Sequence, residues 1–223
     1  MRILVIGSEK NLQETTSRLG PSHVIDHLSY PVAQDYDYDV LFDFRIHTAP
    51  DDCSYYSGVP YLFLNTAQVT LSALYAAGKK HWSGNRFGFN GLPTFMLNHQ
   101  LEVCVLGGAD VPALEEVCAN LQIGFTLVKD QPGMVTPRVV SMIINEAYCT
   151  LAEGTASRSD IDLAMKLGTN YPFGPFEWCE KIGPAEVYRV LDGILKTTNE
   201  PRFSISPLLL RESGLHPDFY NLS

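Results

Sequence analysis

The residues of this chain that could transfer a proton lie between positions 81 and 102. His81 and His99 lie on either side of the run Phe87–Pro93, and Glu102 follows on an apolar stretch. A carboxylate beside an imidazole orients the ring and stabilises its charged form, so such a pair can act as a general base. The alternative is that these residues have no catalytic role. Both histidines would then be ordinary surface or loop-end residues, and Glu102 would be only an acid on a strand.

The elements that must position these residues alternate between strands and helices in the first half of the chain. Apolar runs predict strands at Met1–Gly7, His23–Leu28, Tyr38–Arg45, Pro60–Asn65, Gln100–Leu106 and Phe125–Val128. Helices are predicted at Asn11–Leu19, Val69–Ala77 and Val111–Leu121, and loops at Asp35–Asp39 and Pro50–Tyr56. This alternation is typical of a mostly parallel sheet covered by helices.

The pattern changes after Pro132, and the second half is predicted to be helical. The predicted helices are Val139–Ala152, Ser157–Leu167, Phe176–Lys181 and Ala185–Leu195. Ser157 is the expected N-cap of the second of these helices, with Asp160 in its first turn, where an acid stabilises the exposed N–H groups. We therefore predict two domains, residues 1–130 and residues 131–223.

Composition excludes several classes of function. The formal charge is −9, and a nucleic-acid partner would need Lys and Arg patches that neutralise phosphates. No apolar run reaches the length of a membrane span. The N-terminus begins with a short apolar strand and does not have the pattern of a signal sequence. The five cysteines and six histidines lack metal-ligand spacing, so no metal is expected. Scattered cysteines also predict reduced thiols and a cytoplasmic location.

Residues 129–194 contain several motifs in a specific order. They are Lys-Asp-x-Pro-Gly at Lys129–Gly133, Asn-Glu-Ala at Asn145–Ala147, Glu-Gly at Glu153–Gly154, the run Ser157–Gly168 and the corner Tyr171–Glu177. This segment resembles the C-terminal helical domain of the 3-hydroxyacyl-CoA dehydrogenases. The resemblance implies an α/β plus all-α fold, in which a reduced Rossmann-like sheet domain precedes a helical domain like that of 6-phosphogluconate dehydrogenase. It also implies a homodimer that forms through the helical domain.

The resemblance implies NAD-linked oxidation of a 3-hydroxyacyl-CoA, a reaction of fatty-acid metabolism, by a His–Glu pair. The family histidine precedes Phe-Phe-Asn-Pro-x-Pro, and the best match here places Phe87 at the histidine position. The family glutamate matches Glu102, with a gap of about three residues. A phenyl ring cannot carry a proton, so general-base chemistry is expected to be lost.

Two further family positions are changed. Ala67 replaces a serine that contacts the substrate, and Pro137 replaces an asparagine aimed at the substrate carbonyl. Asn65 and Asn90 are retained, and we interpret them as candidate substrate contacts. The losses predict weak or absent turnover. The alternative function is a non-catalytic dimer that binds a ligand, such as an acyl-CoA, or a protein partner on the same scaffold.

The resemblance also implies an NAD site, which this sequence weakens. Gly7 is the only glycine left of the Gly-x-Gly-x-x-Gly turn that lets a pyrophosphate approach a helix N-terminus, and Glu9 adds negative charge there. Asp26 is the candidate that holds the adenosine ribose, with a solvated strand-end acid as the alternative. We expect NAD to bind weakly or not at all. The family's helical hairpin, which helps to hold coenzyme A, has no room between Tyr30 and Tyr61.

Overall fold

The computed structural model describes residues 1–33, 36–77 and 84–215. The chain divides into two compact units, Met1–Met134 and Val135–Ser223. The first unit contains a sheet with helices, and the described part of the second contains helices. The division into two independent domains, residues 1–130 and 131–223, stays a prediction.

A seven-stranded sheet forms the centre of the first unit. Its strands are β1 (Arg2–Ile6), β2 (Val24–Leu28), β3 (Val40–Asp43), β4 (Tyr61–Asn65), β5 (Asn85–Phe89), β6 (Gln100–Cys104) and β7 (Gly124–Leu127). They lie in the order β2-β1-β3-β4-β5-β6-β7. Neighbouring strands are parallel except for β5 and β6, which are antiparallel. The expected Rossmann-like, mostly parallel sheet is confirmed.

Helices cover both faces of this sheet. They are α1 (Glu9–Leu19), α2 (Leu71–Ala77) and α3 (Val111–Leu121). One face packs on α1 and α3 and contains most of the phenylalanines, whereas the other packs on α2. Central strands that are buried on both faces have continuous apolar sequences. This is why β1, β3 and β4 could be predicted from the sequence.

The second unit is built from five helices within its described residues. They are α4 (Thr136–Ala152), α5 (Arg158–Thr169), α6 (Pro175–Ile182), α7 (Pro184–Thr198) and α8 (Pro207–Ser213). Ser157 caps α5 as predicted, because its Oγ accepts a hydrogen bond from the Asp160 N–H. The core of the unit contains Ile144 and Tyr148 of α4 and Val187 and Leu191 of α7.

Several segments differ from the sequence prediction, among them β5, Pro50–Tyr56 and the start of α4. β5 was missed, because Arg86 and Gly88 interrupt its apolar residues. Pro50–Tyr56 forms a 3₁₀ helix where a loop was expected. α4 starts at Thr136, three positions before the predicted Val139, since a proline at the first turn costs a helix no internal hydrogen bond.

The corner between α5 and α6 is held by charged side chains. The Asp162 carboxylate accepts hydrogen bonds from the N–H groups of Phe176 (2.8 Å) and Glu177 (3.2 Å) at the start of α6. Glu177 in turn accepts from the N–H of Gly174 (2.9 Å) and from Lys166 Nζ (2.5 Å). A Cβ atom at Gly174 would overlap the Asp162 side chain. Glycine is therefore required at this corner by close approach.

Replacing Gly174 should destabilise the helical unit. Gly174→Ala should lower the free energy of unfolding by about 1–3 kcal/mol, because the added methyl group forces Asp162 away from the start of α6. Gly168→Ala is the matched control, since a Cβ atom at Gly168 meets nothing within 4 Å. The control should be neutral or stabilising by up to about 1 kcal/mol. Urea denaturation followed by circular dichroism measures both, and equal losses would contradict this account.

Candidate functional site

The parallel strands β1, β3, β4 and β5 all end at one edge of the sheet. In open α/β sheets, ligands bind at the carboxyl ends of the strands. Gly7, Asn65, Ala67 and Asn90, which the sequence singled out, lie at or just after these strand ends. Because β6 runs antiparallel to β5, Glu102 lies at the same edge, where its carbonyl oxygen accepts a hydrogen bond from the Asn90 N–H (3.0 Å).

Phe87 is a core residue of the sheet unit. Its side chain is 0% exposed and its ring centroid lies 5.1 Å from that of Phe63. Phe63 also stacks on Phe42 at 4.6 Å, and Phe89 contacts both rings edge-on. Such aromatic contacts contribute beyond the burial of apolar area. The Phe87 position therefore serves packing in this protein.

Phe87 and Glu102 lie on opposite faces of the sheet. The register pairs Gly88 with Cys104 and Phe89 with Val103. Side chains alternate along a strand, so Phe87 shares a face with Phe89, whereas Glu102 shares the other face with Gly88 and Cys104. The two positions that the sequence match assigned to the His–Glu pair therefore do not face each other. The residue across from Glu102 is Asn90.

Asn65 and Asn90 are occupied by backbone groups. Asn65 is 1% exposed; its Nδ2 donates to the Phe44 carbonyl oxygen (3.0 Å), and its Oδ1 accepts from the N–H groups of Ala67 (3.2 Å) and Gly91 (3.0 Å). Asn90 is 2% exposed, and its Oδ1 accepts from the Leu92 N–H at 3.4 Å. These bonds connect the ends of β3, β4 and β5. Support of the strand ends accounts for these bonds, and the substrate contact of Asn65 and Asn90 stays a prediction.

The acid of the Lys-Asp-x-Pro-Gly motif serves as a helix cap. Asp130 accepts hydrogen bonds from the N–H groups of Leu71 (2.6 Å) and Ser72 (2.8 Å), at the start of α2. Gly133 donates its N–H to the Ala67 carbonyl oxygen at 2.8 Å. Both ends of the motif are thus fixed to the segment that follows β4. Sequence analysis did not detect this role, because the two segments are far apart in the chain.

Asp26 is not at a strand end. It lies in the middle of β2, paired with Leu4, and accepts a hydrogen bond from Tyr38 Oη at 3.0 Å. Arg2 lies 3.9 Å from the same carboxylate. A ribose-binding acid must follow the carboxyl end of its strand, beside the glycine turn. Asp26 lies two residues before the end of β2, and its role as the acid that holds the ribose stays a prediction.

The remaining predicted residues are His99, His81 and Pro137. His99 is exposed, and its Nδ1 lies 3.2 Å from Gln100 Nε2. His81 lies outside the described residues. Pro137 is buried in the first turn of α4, in the helical unit. No group of three His, Cys, Asp or Glu side chains within the described ranges is arranged to hold a metal ion. No helix in those ranges is long and apolar enough to cross a membrane.

Comparison with known proteins assigns the family. Residues 133–213 match the family profile described as 3-hydroxyacyl-CoA dehydrogenase, C-terminal domain. The chain belongs to the 3-hydroxyacyl-CoA dehydrogenase family. It is 36% identical over 152 residues to the 3-hydroxybutyryl-CoA dehydrogenase of Clostridioides difficile, covering 67% of this chain and 54% of that protein. It is 44% identical over 91 residues to the 3-hydroxyadipyl-CoA dehydrogenase of Escherichia coli, covering 39% of this chain and 19% of that protein.

Two solved structures share the fold of this chain. The (S)-3-hydroxybutyryl-CoA dehydrogenase from Ralstonia eutropha has a TM-score of 0.68 and 19% identity, covering 94% of this chain and 92% of that one. FadB2 from M. tuberculosis has a TM-score of 0.73 and 17% identity, with the same coverage. At sequence identities this low, the similarity shows a shared fold and nothing more. The chain spans about half, or less, of the length of the curated relatives it matches.

The motifs that identify the 3-hydroxyacyl-CoA dehydrogenase family perform structural roles in this chain. Asn145 of the Asn-Glu-Ala motif donates from Nδ2 to the Ser204 carbonyl oxygen (2.9 Å) and accepts at Oδ1 from the Ser206 N–H (2.8 Å). These bonds fix the segment that leads into α8. Together with Asp162 and Asp130, they show that the retained motif residues build the scaffold.

An apolar groove lies between α4 and α5. Its volume is about 640 Å³, and its walls include Met142, Ile143, Ala164 and Met165. Ile143 also lines a second pocket of about 340 Å³, which lies toward Tyr171. Contiguous apolar surface of this kind is a common mark of an interaction site.

Asp43 is the most strongly buried acid at the carboxyl edge of the sheet. It is 1% exposed, and its two oxygens accept hydrogen bonds from Tyr56 Oη (2.5 Å) and the Arg45 N–H (2.7 Å). Burial raises the pKa of Asp43 to about 6, although both hydrogen bonds oppose the shift. Burial also raises the pKa of Tyr56, and the Asp43 charge adds to that effect. A lone acid after an apolar strand carries no motif, so the sequence did not reveal this site.

Asp43 should make the protein more stable as the pH falls from about 6 to about 4. Its folded pKa, about 6, exceeds the ordinary value of 3.8, so the folded protein binds the proton more tightly than the unfolded chain. Ionisation of Asp43 therefore costs the folded state at most about 3 kcal/mol above pH 6, and this cost disappears below pH 4. Urea midpoints at pH 4.5 and pH 7 measure the difference.

The matched comparison uses two asparagine variants. Asp43→Asn should remove this component of the pH dependence, because an amide does not titrate. Asp37→Asn, at a fully exposed side chain, should keep the wild-type dependence. An Asp43→Asn variant with an unchanged difference between the two pH values would show that Asp43 does not titrate in this range.

Proposed function

We propose that this protein is a 3-hydroxyacyl-CoA dehydrogenase homologue that has lost most or all NAD-linked oxidation of 3-hydroxyacyl-CoA. The observation that carries the proposal is the register of β5 and β6. Asn90 lies across from Glu102, and Phe87 lies on the other face in the core. An amide does not accept a proton at neutral pH, so Asn90 cannot act as the general base that a glutamate would orient at this position.

Two other changes support the loss of turnover. By resemblance, the positions of Ala67 and Pro137 would supply a hydroxyl group and a carboxamide to the substrate. A methyl group and a pyrrolidine ring offer no hydrogen bond in their place. Ala67 contributes its N–H to Asn65 and its carbonyl oxygen to Gly133. Its backbone is therefore engaged in the scaffold as well.

A second function is supported by the groove between α4 and α5. Leu163 and Leu167 on α5 are 53% and 78% exposed, and Val139 on α4 is 51% exposed. Exposing apolar surface to water costs roughly 25 cal/mol of free energy per Å². A dimer in which a second copy covers this surface would therefore be stabilised. We propose a homodimer formed through the helical unit, as the family resemblance implies. Such a dimer would serve as a ligand-binding or interaction scaffold, with an acyl-CoA as the ligand class to test.

Turnover should be absent in a direct assay. Purified protein with NADH and acetoacetyl-CoA should show no oxidation of NADH above a protein-free blank, because loss of a general base alone typically costs about 10²–10⁴ in rate. Phe87→His should not restore the reaction, since residue 87 points into the aromatic core. This variant should also lose about 2–5 kcal/mol of stability.

Phe87→Leu is the control for that variant, because it keeps an apolar side chain and should lose less stability than Phe87→His. An ordinary enzyme rate in the wild type would overturn the proposal and direct attention to His81 or His99. A gain of activity in Phe87→His would show that residue 87 reaches the substrate. A thermal-shift screen with NAD, NADH, coenzyme A and acetoacetyl-CoA then asks which ligands the protein still binds.

Assembly should depend on the groove. Light scattering on the purified protein should give about twice the chain mass of 24.8 kDa. Ala164→Arg places a charge in the groove wall and should shift the protein to the monomer mass, because a buried unpaired charge is costly. Glu180→Arg, at an exposed position of α6 outside the groove, should remain dimeric. A monomeric wild type at micromolar concentration would show that the dimer proposal is wrong.

A further inference from the structure

The turn between β1 and α1 is where a dinucleotide cofactor would place its pyrophosphate. Such a group binds the free backbone N–H groups at a helix start and lies close above a glycine. Gly7 directly follows β1, and Ser8 is the N-cap of α1, which begins at Glu9. The fit of the cofactor therefore depends on which N–H groups are free and on the space above Gly7.

Two of these N–H groups are already bound by side chains of the turn. The Ser8 N–H donates to Asn11 Oδ1 at 2.9 Å, and the Asn11 N–H donates to Ser8 Oγ at 3.3 Å. Ser8 Oγ also donates to Asn11 Oδ1 at 2.7 Å. This reciprocal pair is a capping box, which satisfies the helix start from within the chain.

The space above Gly7 is also filled. A Cβ atom built on Gly7 would lie 2.7 Å from Asn11 Oδ1 and 3.2 Å from Phe44 Cβ. Asn11 is only 8% exposed. Its amide oxygen, which carries a partial negative charge and accepts two hydrogen bonds, thus lies where a phosphate oxygen would approach the glycine.

His27 contacts the other side of the turn. Its Nε2 lies 2.9 Å from the Gly7 carbonyl oxygen, and its Nδ1 lies 3.5 Å from Glu9 Oε1. The Gly7 N–H donates to the Leu28 carbonyl oxygen at 3.0 Å. Glu9 is 76% exposed, so its negative charge lies at the solvent side of the helix start. An approaching pyrophosphate would meet this charge first.

We infer that the turn is a self-occupied anion site, in which Asn11 takes the place of a phosphate oxygen and Glu9 repels a second anion. NAD and NADH do not fit this turn. The side chains of Asn11 and Glu9 exclude the cofactor, and the missing glycines of the fingerprint add to this effect. The inference is separate from the loss of turnover, because it concerns cofactor binding and is measured without substrate.

Calorimetric and fluorescence titration of the full chain with NADH tests the inference. The wild type should not saturate up to roughly millimolar NADH. The double variant Glu9→Gly, Asn11→Ala removes the charge and the amide, and restores the second glycine of the fingerprint. It should bind NADH at least about tenfold more tightly than the wild type. Gln13→Ala, an exposed change on the same helix, should behave as the wild type.

Each outcome decides the inference. Saturation of the wild type at micromolar NADH would overturn it, whatever the variants do. A double variant that keeps the wild-type circular dichroism spectrum but binds no more tightly would show that Asn11 and Glu9 are not the excluding groups. Glu9→Gln keeps the Ser8–Asn11 pair intact and protects the test against misfolding of the double variant. It should still fail to bind, and micromolar binding by Glu9→Gln would overturn the role of Asn11.

Discussion

The antiparallel pairing of β5 with β6 determines which side chains can meet at the carboxyl edge of the sheet. The other strand pairs are parallel, so this reversal brings Glu102 beside Asn90 at the end of β5. Alternation then assigns Phe87 to the core and Gly88 to the face that carries Glu102. A shift of one residue in this register would exchange the two faces. The aromatic packing of Phe63, Phe87 and Phe89 opposes such a shift, because it would expose these rings.

The helical unit keeps its family motifs for a different physical reason. Asp162, Gly174 and Glu177 form one hydrogen-bonded corner, and Asn145 fixes the segment before α8. Removing one partner from such a network leaves a backbone group unsatisfied, which costs more than a simple hydrogen bond contributes. These positions therefore depend on one another. The similarity that identifies the family is accordingly concentrated in the half of the chain whose motif residues have structural roles.

Much of the fold could be predicted from the sequence, and less of the candidate site. Strands buried on both faces, such as β1, are continuous apolar runs and are visible without a structure. β5 was missed because Gly88 and Arg86 interrupt its apolar residues. Gly88 is needed because Cys104 approaches closely, and Arg86 donates a hydrogen bond to the Val59 carbonyl oxygen. The short helix α8 begins at a proline, in a part of the chain for which no helix was predicted.

Site residues were harder to predict, because their roles depend on partners that are distant in sequence. Asp26 was matched to the ribose-holding acid of the family by resemblance alone, although it lies two residues before the end of β2 at Leu28. The caps made by Asp130 and the burial of Asp43 depend on contacts across many residues, which no local pattern records. The match of Phe87 with Glu102 respected sequence order but not the face of the sheet on which each side chain lies.

Gly88 shows why a proton-accepting side chain is not easily placed next to Glu102 on its face of the sheet. Position 88 lies on the correct face, but a Cβ atom there would overlap Thr66 Oγ1 and lie 2.5 Å from Cys104 Sγ. Both neighbours are themselves buried, and the Cys104 thiol contacts Asp130, the cap of α2. A histidine at 88 would therefore have to displace Thr66 and Cys104 and disturb the start of α2. Packing around Gly88 thus prevents a proton-accepting side chain at this position, whichever residue stands at position 87.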